Sequence, residues 1–250
     1  MSNSSITAGV GSIITSAKEE KPDGVIGAFA LINGEAFALT TFSVAKDEND
    51  PIFDADGHQI GEVSTPAVIS EALLGLSERF LNKNDRVSCE EALRFIRLAP
   101  HVKVDDSNLP DQNENLTTSG VSILGETLSI IGRSDNDDLR SPTAIGKEAC
   151  ASINMTMENG QERIFQEVCR VYSDEPDKGF ARPGDSGAAV YGSESGALIG
   201  LALAGDKTQT TIIPLYEIFK KAGISPMTKQ DAAAYNAVPE RHAGPEVPGF

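Results

Sequence analysis

Apolar runs broken by turn residues dominate the first quarter of the chain. In "VIGAFALINGEAFALTTFSVA", beginning at Val25, two apolar stretches flank Asn33-Gly34. Both turn residues tolerate positive φ, so the pattern predicts a β-hairpin over about 25–40. "DADGHQIGEV" repeats the theme, with Asp56-Gly57 as the turn. Over 65–82 the period changes. Ile69, Leu73, Leu76 and Phe80 recur at three- and four-residue spacing, which predicts an amphipathic helix with Thr65 as cap and Pro66 in its first position. "ALRFIRL" at 92–98 returns to a strand pattern.

The stretch 104–120 is acidic, polar and almost without apolar residues, as expected of a linker. Short strands resume with "TLSIIGR", "ACASINMTM", "RIFQEVCRVY", "GAAVYG", "ALIGLALAG" and "TTIIPL". "PLYEIFKKAG" at 214–223 predicts a closing helix, with Lys220 and Lys221 at its negative end and Gly223 as its stop. Many short strands split by a polar linker predict an all-β chain of two small barrels. The expected division is a flexible arm at 1–22, an N-terminal β-barrel at 23–104 and an inter-barrel linker at 105–120. A C-terminal barrel with its closing helix follows at 121–224, and a disordered tail at 225–250.

Composition narrows the partners. Hydrophobic residues make up 40% and charged residues 23%, as in ordinary globular domains. The formal charge of −16 repels phosphate backbones and anionic lipid, so neither nucleic acid nor membrane is an expected partner. Three scattered cysteines, Cys89, Cys150 and Cys169, provide neither a disulfide framework nor a zinc knuckle. No metal or other cofactor is expected. The N-terminal stretch lacks the pattern of a signal peptide, and a cytoplasmic location is expected.

The chemistry centres on "RPGDSGAAVYG", residues 182–192. A tight turn at Gly184-Asp185-Ser186-Gly187 sets the N–H groups of Gly184 and Ser186 side by side, as an oxyanion hole requires. With "LSIIGR" upstream, "ALIGLALAG…TTIIPLYEIF" downstream and "GAFALINGEAFALTTFSV" in the first half, roughly 24–224 resembles the trypsin-like (chymotrypsin-fold) serine peptidases. It is most similar to their intracellular fungal branch. That resemblance implies two six-stranded barrels and Ser186 as nucleophile. In the family the residue at Asp185 often pairs with an N-terminus freed by activation cleavage; no such cleavage is recognisable here, so Asp185 is expected to accept local hydrogen bonds instead.

The resemblance also shows what is altered. The family's catalytic histidine falls on Ser43 in "LTTFSV", and a hydroxyl is no general base near neutral pH. The family's aspartate position falls on Glu90 in "CEEALRFI", where a solvated surface charge is an equally good reading. The specificity residue maps to Phe180 and a pocket-wall glycine to Gly205. Phe180 either makes that slot short and apolar or is plain core. His58, His101 and His242 are the only imidazoles, and Lys46 lies one helical turn after Ser43 among acids. Each is weighed as a substitute base against an ordinary structural or surface role.

Three functions remain open. One is a pseudoprotease whose old cleft binds a small-molecule or protein ligand. The second is a repurposed enzyme of another class acting on a small carbonyl compound, as a cyclase, isomerase or hydrolase, with secondary metabolism as a setting. The third is a residual protease with a substitute base.

Overall fold

A computed structural model describes residues 6–16, 24–71, 86–88, 92–111, 127–133, 143–156, 162–175 and 178–238, with 86–88 and most of 143–167 described by backbone alone. Two curled β-sheets carry the fold. The first runs β3-β2-β6-β7-β9-β5-β4, where β2 is Ile13–Ser16, β3 Gly24–Val25, β4 Ala28–Ile32, β5 Glu35–Thr41, β6 Pro51–Asp54, β7 Gln59–Val63 and β9 Leu93–Leu98. β3 and β4 are two ends of one bent segment. Ile26 donates to Ser12 beside β2, while Gly27 donates to Leu39 in β5, so the bend closes six strands into a barrel.

The second sheet runs β12-β11-β14-β15-β16-β13-β8 and closes through a β12–β13 pairing. Its strands are β8 Arg86–Ser88, β11 Thr127–Ile131, β12 Thr143–Thr156, β13 Glu162–Ser173, β14 Ala189–Gly192, β15 Leu198–Gly205 and β16 Gln209–Pro214. Closure uses six of them. β8 is an addition, pairing in parallel with Ile164–Gln166 of β13 although it was expected to lie within the first barrel's segment.

The local turn signals act as their chemistry dictates. Asn33 and Gly34 take φ of 51° and 82° between Ile32 and Glu35, which face each other across the hairpin. Helix α1, Tyr216–Ala222, carries Lys220 and Lys221 in its last turn and ends at Gly223 in the left-handed conformation, where Ile224 donates back to Phe219. Helix begins at 67 and is described to 71. Pro66 lends its carbonyl to Ile69 and Ser70, while the Thr65 hydroxyl donates to Glu48 instead of capping. The rest of the expected helix to 82 lies outside the described residues, as do 112–126 and the Glu158-Asn159-Gly160 turn.

Two expectations fail at the ends of the chain. The arm expected over 1–22 contains β2 and also β1, Thr7–Ala8, which pairs in parallel with β10, Lys103–Val104. The tail expected to be disordered from 225 instead forms a bridge between Pro226 and Ala30 and then helix α2, Lys229–Asn236. Thr228 and Asp231 make a capping box that starts α2, satisfying the helix's free N–H groups in both directions. Among the described residues, no helix is long and apolar enough to cross a membrane.

Candidate functional site

The Gly184-Asp185-Ser186-Gly187 turn leads into β14 of the second barrel. Gly184 and Gly187 have φ of 91° and 90°, a region costly for any residue with a Cβ. Below the turn Asp185 is 1% exposed, and its carboxylate accepts from the backbone N–H of Arg133 at 3.0 Å and of Arg182 at 2.9 Å. The expected local role of Asp185 is therefore structural. It ties the end of β11 and the 182–183 approach to one buried anion.

The turn is pressed against the first barrel. Val25 donates to the Ser186 carbonyl at 2.9 Å. A Cβ placed on Gly24 would lie 2.2 Å from that same oxygen and 2.5 Å from Val44 Cγ2. Val44 neighbours Ser43, so the segment carrying Ser43 and the turn carrying Ser186 meet at Gly24. The two half-buried serines thus come from different barrels to one junction.

Their hydroxyls are not linked. Ser43 Oγ shares a hydrogen bond of 3.0 Å with Thr41 Oγ1 at the end of β5. Ser186 Oγ has no hydrogen-bond partner among the described residues. Neither described imidazole bonds to either serine. His58 is on the β6–β7 hairpin, 56% exposed at its side chain, with Nδ1 3.2 Å from Asp54 Oδ2. His101 sits half-buried in the turn after β9. Lys46 is exposed. Glu90 and His242 fall outside the described residues.

The two residues expected to shape a specificity pocket differ in exposure. Phe180 is fully buried in the second core with Cys169, Val171, Ala188, Val190 and Ile212. Its ring is core, not an open slot. Gly205 is exposed at the end of β15 and lines a shallow cavity of about 230 Å³ with Asn154, Arg170 and Gln209. Asp206 is on that rim, and the N–H groups of Thr208 and Gln209 hold its carboxyl below the usual carboxylate range. Larger still is a cavity of about 390 Å³ between the β4–β5 hairpin and α1, lined in part by Leu31, Val68 and Met227. Neither cavity touches Ser43, Ser186 or Phe180.

Sequence reasoning missed Arg133. A Cβ on Gly184 would lie 2.7 Å from Arg133 Cδ and 2.8 Å from Nη1, so this side chain rests against the turn. The only sequence signal was its position after "LSIIG". Nothing local says that a strand end will fold onto a turn some fifty residues later.

No protein-family model matches the chain, and no curated protein matches it. Solved structures do. It is similar to an alpha-lytic protease homolog, N4, at 14% identity and a TM-score of 0.56, covering 88% of this chain and 98% of that one. Cellulomonas bogoriensis chymotrypsin is 15% identical with a TM-score of 0.54, covering 89% of this chain and all of the other, 100%. Thermobifida fusca protease A is 11% identical with a TM-score of 0.56, covering 89% and 99%. The two-barrel fold built up above is that of the chymotrypsin-like serine proteases.

Proposed function

We propose that the chain is a proteolytically inactive homologue of these enzymes, whose former cleft binds a ligand without cutting it. The observation that carries this reading is the state of Ser186. Its hydroxyl has no hydrogen-bond partner among the described residues, and the residue at the base position, Ser43, is bonded to Thr41. A serine hydroxyl with no base nearby keeps its proton and is a poor nucleophile. A positioned general base contributes about 10²–10⁴-fold to such steps. The burial of Phe180 in the core adds to this, because a filled slot anchors no peptide side chain. The surplus of acid supports a ligand that is neither nucleic acid nor anionic lipid, and the cysteine pattern supports an intracellular setting.

A fluorophosphonate probe tests the proposal, because it labels a serine only when a base activates it. No labelling of Ser186 is expected over hours, under conditions that label chymotrypsin within minutes. Rapid labelling that disappears in Ser186→Ala overturns the reading.

A further inference from the structure

The cavity between the β4–β5 hairpin and the segment after α1 gathers acceptors without a cation. Its volume, about 390 Å³, is that of a small-molecule site. Asp231 lines it and is half-buried. Oδ2 of this carboxylate takes the Thr228 N–H at 2.9 Å and the Thr228 hydroxyl at 2.7 Å, while Oδ1 has no partner among the described residues. Ala222, the last residue of α1, lines the same space. Continuing the helix would bring the N–H four residues on to its carbonyl, but that residue is Pro226, which has none. The Ala222 carbonyl therefore accepts nothing among the described residues, at the end of α1 where a helix carries its partial negative charge. No lysine, arginine or histidine is among the lining residues. Lys229 pairs with Asp111, and Lys220 stands over the Tyr216 ring.

The other walls are apolar and come from three elements: Leu31 of β4, Val68 of the helix that begins at 67, and Ile224 just after α1. Leu31 is exposed, although most large apolar side chains described here are buried. Free acceptors combined with alkyl walls suit a cation that carries its own apolar body. An anion is poorly matched, because the positive end of α2 already holds the Asp231 carboxylate of the capping box.

We propose that this cavity binds an organic ammonium ion, whose N–H donors meet Asp231 Oδ1 and the Ala222 carbonyl while its hydrocarbon lies against Leu31, Val68 and Ile224. The ammonium is that of a small free amine or of a lysine side chain on a peptide. The site goes beyond the cleft proposed above, since neither Ser43 nor Ser186 lines it, and it stands whether or not Ser186 is activated.

The test is amide NMR on the full chain, titrated with phenethylamine, a cation at neutral pH, and separately with phenethyl alcohol, its neutral counterpart. The Leu31, Gly223 and Asp231 amide signals are expected to move with the amine, and the alcohol is expected to bind about tenfold or more weakly. Raising the salt from about 20 to about 500 mM should weaken the amine and spare the alcohol. Asp231→Asn keeps an oxygen for Thr228 but removes the charge, so it should weaken the amine by about tenfold and leave the alcohol unchanged. If that variant loses α2, as its 229–236 signals would show, amine against alcohol on the unaltered chain still decides, and Leu31→Ala should weaken both ligands severalfold. N-acetyl-lysine methylamide separates the two sources: tighter binding than phenethylamine indicates a lysine side chain, and weaker binding a free amine. Equal affinity for amine and alcohol overturns the proposal. So does silence of the three signals at about 50 mM amine, where even millimolar affinity saturates a site. Amine shifts spread over the acidic surface and indifferent to Asp231→Asn overturn it too, because the net charge of −16 then accounts for the attraction. None of these outcomes touches the reading of Ser186, which the fluorophosphonate probe decides on its own.

Discussion

A carboxylate sealed from water must be matched by donors, and Asp185 is matched by backbone from two directions. Arg133 and Arg182 each give it an N–H, so one side chain holds together the end of β11, the approach to the turn and the turn itself. This explains how the geometry of the turn is held without help from the Ser186 side chain. Asp185 shapes backbone through its two acceptor bonds, whatever the chemistry of Ser186. Replacing Asp185 by alanine takes the acceptor from two part-buried N–H groups, each at about 1–3 kcal/mol. Asp185→Ala is therefore expected to lower stability by about 2–5 kcal/mol in urea denaturation. A change below about 0.5 kcal/mol, the usual range for neutral surface changes, would show that the turn does not depend on it.

Among the elements, those specified by neighbours in sequence were legible and those specified by distant partners were not. Asn33-Gly34 announces its hairpin because two adjacent residues supply both positive φ values. Gly223 announces the end of α1 for the same local reason. β8 gives no such notice, since its parallel partner in β13 lies some eighty residues on. The fate of Phe180 was equally hidden, because slot and core differ only in what the rest of the barrel places around the ring. For α2 the signal was present but overridden. Thr228 and Asp231 have capping-box spacing, yet the surrounding Ala, Pro and charged residues read as an unstructured tail. In the structure Asp231 N–H donates to Thr228 Oγ1 at 3.1 Å and Asp231 Oδ2 accepts from the Thr228 N–H at 2.9 Å. Thr228→Ala removes the hydroxyl from that pair. A loss of about 1 kcal/mol is expected, with faster amide exchange confined to 229–236. Unchanged exchange there would mean that packing alone holds the helix.

For the molecule as a whole, the question is what keeps two barrels in the register on which the site depends. Part of the answer is backbone laid directly on backbone. A Cβ on Gly27 would lie 2.0 Å from the Gly187 carbonyl oxygen, so the bend between β3 and β4 touches the 184–187 turn with no side chain between. The other part is the C-terminal segment, which leaves the second barrel through α1 and returns to the first. Met227 donates to the Phe29 carbonyl at 2.7 Å, and the Asn236 side chain bonds both the N–H and the carbonyl of Val104, at 3.0 and 2.8 Å. Met227 and Tyr235 are 1% and 5% exposed in a core that also holds Phe29 and Leu39. Burying each such side chain contributes about 1.5–3 kcal/mol. A chain ending after Gly223 is therefore expected to lose about 4–7 kcal/mol of stability, once the lost hydrogen bonds are added. The Val104 amide should exchange at the rate of an open loop. Because the strap ties the first barrel to an element of the second, its loss should also broaden the chemical denaturation into two steps, with the first barrel unfolding earlier. A truncated chain that unfolds in one transition at the original midpoint would show that the glycine junction alone holds the barrels in register, and that the returning segment only covers their surface.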